Sequence, residues 1–421
     1  MISDKFFSLG VATLLFTCLN AGSQEQSRFS ILDRANDEPL RLNTSPELEP
    51  LPIDAQGFDV LPEVEFSTGH SSNVVASDLN EVSDSFVGFA PGISVRSNWS
   101  RHELLSDVKI RHVEYSELTS EGRTEIDFGL RGRLDMNGNS SVSVELTAAD
   151  EAEDRHALSS VPDALEPTDV ARISAGIGFS NTFNRIKFGG DLHFKSYDFE
   201  DVELGSGLIQ DQDFRDRDEL IASLKLAYAL SPSTAVYTQL TQTVSDYSPP
   251  NIFNAFNRDY DGTVVSAGVD FDIGDTLRGD FGLGYQRYVY DEDSFEDIDD
   301  VNFTGNVDWL IGDRTLLTAS ANRSIFDPGL ITTNAAIETA AGLNIEQALT
   351  RKVSVNGGAR LARYDFENID REDDRINLNV GANWKLNKNL WIEGGYELTD
   401  QTSSFQEFTD NRFLIKMRVF P

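Results

Sequence analysis

Between Arg375 and Leu386 the chain alternates without a break: Ile376, Leu378, Val380, Ala382, Trp384 and Leu386 fall on one face, Arg375, Asn377, Asn379, Gly381, Asn383 and Lys385 on the other. A period of two belongs to extended chain, whose successive side chains point to opposite sides, and not to a helix. The pattern returns at Val301 to Ile311 and at Arg185 to Lys195. In all, such runs start near residues 62, 85, 102, 123, 141, 171, 184, 218, 234, 263, 277, 301, 315, 335, 352, 375, 389 and 411, about eighteen strands. Whatever this chain folds into must cover that many apolar strand faces at once.

The connectors say what covers them. Short ones, Asn98 to Arg101, Asn137-Gly138-Asn139, Ser180-Asn181-Thr182, Ser231-Pro232-Ser233, Ile273-Gly274-Asp275, Gly312-Asp313 and Asn387-Lys388-Asn389, carry mostly turn chemistry. Longer ones lie near 153–169, 198–216, 247–261, 291–299, 327–334, 367–374 and 401–409, and the two kinds largely alternate. Successive hairpins with tight turns at one end and long loops at the other are the pattern of an outer-membrane barrel. A soluble sandwich or propeller would show Greek-key spacing or a blade repeat, and neither is present. The mean hydropathy of -0.32 excludes a bundle of membrane helices. It does not exclude a barrel, in which only every second strand residue meets lipid. The expected fold is all-β, a transmembrane antiparallel up-and-down barrel of about 18 strands over residues 61–421, with both termini in the periplasm.

Ahead of it, residues 1–23 read as a signal peptide: Lys5, the apolar stretch Phe6 to Leu19, then Ala21-Gly22-Ser23 before a polar run. The only cysteine, Cys18, falls inside that segment, so the exported chain would carry no thiol. Residues 24–60, rich in Glu, Asp and Pro, read as a periplasmic tail or linker.

If the apolar faces meet lipid, the opposite faces line a wet interior. Candidate lumen-lining residues are Arg131, Arg133, Arg172, Lys187, Lys195, Lys225, Asp270, Arg278, Asp280, Asp308, Arg360 and Glu393. The signs are mixed, and the acid excess behind a formal net charge of -35 gathers in loops. It is densest in a candidate acidic outer loop with Asp291, Glu292, Asp293, Glu296 and Asp297. Such a surface is a mouth that gathers cations, or merely a solubilising rim, while the lumen charges either line a path or pair to stiffen the wall. The charge disfavours nucleic acid as a partner. No calcium loop, zinc-ligand spacing or nucleophile motif stands out, so no metal, cofactor or catalytic residue is assigned. Trp99, Trp309, Tyr288, Tyr290, Trp384 and Trp391 read as interface girdles, with sugar stacking at Tyr237, Tyr288 and Trp391 as the alternative. Phe413, Ile415, Met417 and Val419 form a final apolar face ending in Phe420-Pro421.

His70-Ser71-Ser72-Asn73, Ser83-Asp84 leading to Ala90-Pro91-Gly92-Ile93, Ser97 to His102, Gly284-Tyr285 and Val307-Asp308-Trp309 resemble a family of outer-membrane β-barrel porins often encoded beside exopolysaccharide synthesis and export genes. The resemblance covers about residues 61 to 420 and transfers no catalytic residue. It implies a non-enzymatic channel in the outer-membrane lipid and, as a specific function, an exit for a secreted exopolysaccharide working with periplasmic export machinery. The alternatives are a general diffusion porin for small solutes and a plugged structural or adhesive barrel. Pro91, mid-strand, should cost a ladder bond and suggests a bulge or kink.

Overall fold

The computed structural model describes residue 42 and residues 45–161, 163–248, 257–274 and 276–421. The expected signal peptide and most of the tail, through residue 41, lie outside them. Eighteen long strands follow one another: β1 (Phe58–Ser71), β2 (Asp84–Ser97), β3 (Glu103–Tyr115), β4 (Arg123–Asn137), β5 (Ser140–Ala152), β6 (Asp169–Phe183), β7 (Ile186–Phe199), β8 (Arg217–Ser231) and β9 (Thr234–Tyr247). Then come β10 (Tyr260–Ile273), β11 (Leu277–Tyr290), β12 (Ile298–Ile311), β13 (Thr315–Phe326), β14 (Ala336–Ala348), β15 (Val353–Phe366), β16 (Glu372–Asn387), β17 (Leu390–Ser403) and β18 (Phe408–Val419). Each pairs antiparallel with the next, and β18 closes on β1 from Val64–Val419 to Ser71–Arg412. Closure leaves no strand without a neighbour on each side, which is what lets a sheet cross lipid. β1 opens at Phe58 because Phe58, Asp59 and Val60 already pair with Ser97, Arg96 and Val95.

The alternation sorts the two faces. Ile376, Leu378, Val380 and Trp384 are exposed on the outer surface, where lipid would cover them, and Asp373, Arg375, Asn379 and Asn383 are buried on the inner one. Trp99, Trp309 and Trp384, each about half exposed, stand outward near the short turns, as a girdle requires. Tyr288, Tyr290 and Trp391 do not: Tyr290 and Trp391 are buried, and Tyr288 packs at a tilt on Tyr260 with ring centroids 5.1 Å apart. They share the inward parity of Gln286 and Glu393, so these three pack on the inner face and not outward with Trp99, Trp309 and Trp384.

The turn expected at Ser180-Asn181-Thr182 is strand, pairing with β5 and β7 through Asn181 and Thr182. The chain reverses three residues on, at Asn184 and Arg185, where Asn184 takes φ +55. Asn tolerates that left-handed conformation, which a two-residue hairpin demands. Pro91 interrupts the β2–β3 pairing between Phe89–His112 and Gly92–Lys109, yet the register is the same on both sides. The ladder bond is lost there without a bulge. At the end of the chain Phe420 turns inward, 3% exposed, against Trp391 (centroids 5.0 Å apart) and Leu61.

The segment just before β1 is folded as well. A 3-10 turn at Pro46–Leu48 sits against the inner face of the periplasmic end: the Trp391 Nε1 donates to the Leu48 carbonyl at 3.2 Å and Lys385 pairs with buried Glu49 at 2.7 Å.

Candidate functional site

The lumen is the polar surface that all eighteen strands share, and its two sides differ. From β17 through β18 and round to β6 the inward residues are charged and paired. Arg418 reaches Glu63 at 2.5 Å and Glu393 at 3.6 Å, Lys109 and Lys416 both lie 3.5 Å from Glu65, and Arg111 and Arg123 share Glu125 at 2.6 and 2.8 Å. From β12 to β16 the wall is mostly amide and glycine, with Asn302, Asn306, Asn344, Asn356, Asn377, Asn379 and Asn383. Gly358 stands between Asn344 and Asn379 in neighbouring strands, and a Cβ there would collide with both side-chain oxygens.

The sequence-assigned lumen residues take these places. Arg131 pairs with Glu145 at 2.8 Å, Arg133 with Asp135 at 3.3 Å, Arg172 with Glu151 at 3.1 Å, Arg278 with Asp272 at 2.9 Å and Arg360 with Glu338 at 2.5 Å. Glu393 joins Arg418, and Asp308 accepts a hydrogen bond from Thr318 at 3.0 Å. Asp270 and Asp280 face each other across β10 and β11. Lys225 lies 4.0 Å above the Tyr237 ring, with Lys187 on the adjacent strand opposite Ala227. Lys195 is next to Ser174 and Glu219. These side chains are spread around the wall and form no single cluster.

The proposed acidic loop lies apart from the lumen. Asp291, Asp293, Glu296 and Asp297 are exposed and Glu292 partly so. The loop turns back to the outer face, where Arg287 meets Asp297 at 3.0 Å and Asp299 at 3.6 Å.

What narrows the lumen is a loop of no special composition. Residues 153–161 lead out of β5 and 163–168 lead into β6, but their contacts are on the far side. Leu158 is buried among Ala336, Ala340, Ala362, Tyr364 and Phe366 of β14 and β15. In a ring of eighteen, β5 and β14 stand nine strands apart, half the circumference. The Arg375 guanidinium of β16 donates to the His156 carbonyl at 2.7 Å. The His156 ring sits between Asp154 at 2.5 Å and Asp410 of β18 at 3.3 Å, with Phe408 at 5.1 Å. Burial works against a charge on His156, but Asp154 and Asp410 outweigh it and raise its pKa to about 9.

Neighbouring loops brace this crossing. Arg155 pairs with Glu121 at 2.7 Å, both buried, and Arg215 pairs with Glu153 and bonds Gln212 at 3.2 Å. Arg258 pairs with Asp327 and donates to the Leu330 and Thr333 carbonyls at 3.0 and 3.2 Å. Desolvation alone would raise the Asp327 pKa, but Arg258 and Arg217 hold it below the usual carboxylate value. The outer half of the lumen is therefore crossed by a charge-latched layer, while the inner half is lined by wall side chains.

The candidate sugar-stacking rings already have neighbours: Tyr237 lies against Gly268 and Gly282 with Lys225 on it, Tyr288 packs at a tilt on Tyr260, and Trp391 packs on Phe420 and Lys385.

Three porins of known structure are similar in outline. OccK2 (OpdF) of Pseudomonas aeruginosa, crystallised with glucuronate, is 10% identical at a TM-score of 0.46 and covers 87% of this chain and 100% of its own. OccAB4 of Acinetobacter baumannii has the same identity and score over 87% and 99%. A BenF-like porin from Pseudomonas fluorescens Pf-5 is 10% identical at 0.46 over 86% and 99%. No residue role is carried over from them. None of the curated proteins matches the chain. The family model described as Putative beta-barrel porin 2 matches residues 45–420, from the docked 3-10 turn through the last strand. The chain belongs to that family, and its barrel sits in the outer membrane of a Gram-negative bacterium.

Proposed function

We propose that the chain is a non-enzymatic diffusion porin for small hydrophilic solutes. The observation that carries this reading is the crossing of the outer lumen by residues 153–168, with Leu158 seated on the wall half a circumference away. Barrels of 16–18 strands leave an aqueous channel when their interiors are clear. A loop fixed across that channel limits what can pass by size. Lining charges that are mostly paired leave little net field to favour one ion, and the amide wall from β12 to β16 offers donors and acceptors to any polar solute.

The export function implied by the family resemblance fits this lumen less well. A hydrated polymer needs one continuous wide path, and export would require the latched layer to swing aside each time. Candidate lumen residues such as Arg131, Arg360 and Glu393 then act as paired wall charges that tune passage.

Proteoliposomes should swell several times faster in arabinose than in a disaccharide, and planar bilayers should show discrete conductance steps. Entry of five-unit maltodextrins as fast as arabinose would overturn the size limit, and silent bilayers would overturn the channel. A deletion strain should keep normal surface polymer.

A further inference from the structure

The longest stretch in which two neighbouring strands run on unpaired lies between β12 and β13. Their ladder starts at the periplasmic turn with Ile311–Thr315 and stops at Phe303–Arg323. β12 continues to Ile298, still bonded to β11, and β13 continues to Phe326, still bonded to β14. In the outer part of the wall the two strands therefore part, each leaving an edge without its neighbour's main chain. In lipid such an edge costs several kcal/mol per unmet polar group, so something must satisfy it.

Side chains do so. Gln286 of β11, fully buried, donates to the Val301 carbonyl at 3.3 Å and accepts the Ile325 N–H at 3.2 Å. Asn302 donates to the Arg323 carbonyl at 3.0 Å, and the Arg323 guanidinium pairs with Asp300 at 2.8 Å. These bonds can rotate away one by one, whereas a main-chain ladder must be broken as a unit. Apolar side chains flank the parting, beside the Arg323–Asp300 pair within it and the Arg287–Asp299 pair on the outer face. Against the parting, Tyr290 and Ile298 from one side and Ile325 and Ile337 from the other form a buried cluster with Tyr260 and Tyr288 packed on it. Outside, Val289 and Val301 are exposed on the lipid face. Other apolar clusters surround Leu158, Trp391 and Phe86, so what sets this one apart is its place at a loosely closed seam.

We propose that the β12–β13 parting is a side portal, through which solutes with an apolar or aromatic body pass between the outer leaflet and the lumen. It adds a second route to the axial one and rests on the barrel standing in the outer membrane. Gln286 acts as its bolt.

Asn302 and Ser324 lie one step beyond the last pair, so a disulfide between them would staple the seam. The chain's one native cysteine, Cys18, lies in the expected signal peptide and does not interfere. The Asn302→Cys/Ser324→Cys double variant is expressed in cells lacking other porins. Entry of 1-N-phenylnaphthylamine, an apolar aromatic amine that a lipopolysaccharide leaflet holds back, is followed by fluorescence, and arabinose influx is followed alongside. Oxidation should cut amine entry at least fivefold, reductant should restore it, and arabinose influx should not change. Gln286→Ala should raise amine entry at least twofold with arabinose again unchanged. Amine entry that ignores oxidation, or a cysteine pair that never cross-links, overturns the portal. Loss of arabinose influx in the native protein would instead overturn the axial channel.

Discussion

His156→Ala should turn a quiet channel into one with larger, flickering conductance at neutral pH. The ring bridges Asp154 and Asp410 and so ties the crossing loop to β18. Removing it leaves Asp410 with its bonds from Ser71 (2.8 Å) and the Asn73 N–H (2.9 Å), so the wall itself stays satisfied and only the latch is lost. A pKa raised from 6.5 to about 9 corresponds to roughly 3 kcal/mol of latch stability when the ring is charged. The sign follows from the direction of the shift. Because the latched pKa exceeds that of the released histidine, the contribution is complete below about pH 6.5, falls as pH climbs, and is gone above about 9. Native channels should therefore acquire the same flicker between about pH 8 and 10, and native and His156→Ala records should coincide at pH 10. Single-channel recording across that range checks both statements. Identical native traces at pH 7 and pH 10 would mean that the ring does not hold the loop.

The strands were legible because their signal is strictly periodic. Ile376 through Leu386 needs no partner to declare which face is greasy, and each observed strand begins within a few residues of its expected start. Parity also held the answer for Tyr288, which shares its face with Gln286, and for Trp391, which shares its face with Glu393. Treating them as girdle residues used their nearness to strand ends and ignored the phase. The crossing loop could not be read in this way. His156 and Arg375, whose bond helps to fix it, are 219 residues apart in the chain, and neither has a local pattern that points to the other. Leu158 is one leucine in a polar stretch. Composition drew attention to Asp291 through Asp297, where charge is dense, but density of charge marks solvent more often than it marks a path. The β12–β13 parting was equally hidden, since Val301 to Ile311 alternates as cleanly as any run and only pairing shows where a ladder ends.

Asp327→Ala should loosen the outer layer without unfolding the barrel. Asp327 and Arg258 are each 6% exposed, and the carboxylate also accepts from the Tyr247 hydroxyl at 2.5 Å and the Gly329 N–H at 2.8 Å. Taking away one member of a buried ion pair typically costs 3–5 kcal/mol, because the remaining charge has lost its solvent and its partner together. Arg258 would keep the Leu330 and Thr333 carbonyls and the Tyr247 and Phe214 rings, none of which carries a compensating charge. The damage should stay local, since β9, β10, β13 and β14 are paired below by main chain that this change does not touch. Hydrogen exchange over residues 327–335 should accelerate by about a hundredfold, matching a local loss near 3 kcal/mol. The unboiled variant should still migrate as a folded barrel. Adding Arg258→Met to Asp327→Ala should recover part of the protection, because it removes the stranded charge. Exchange at the native rate in the single variant would show that the pair contributes nothing to the layer. Recovery in the double variant, together with loss in the single one, would locate the cohesion of the outer layer in buried charge pairing and not in the packing of Tyr247 and Tyr290 beside it.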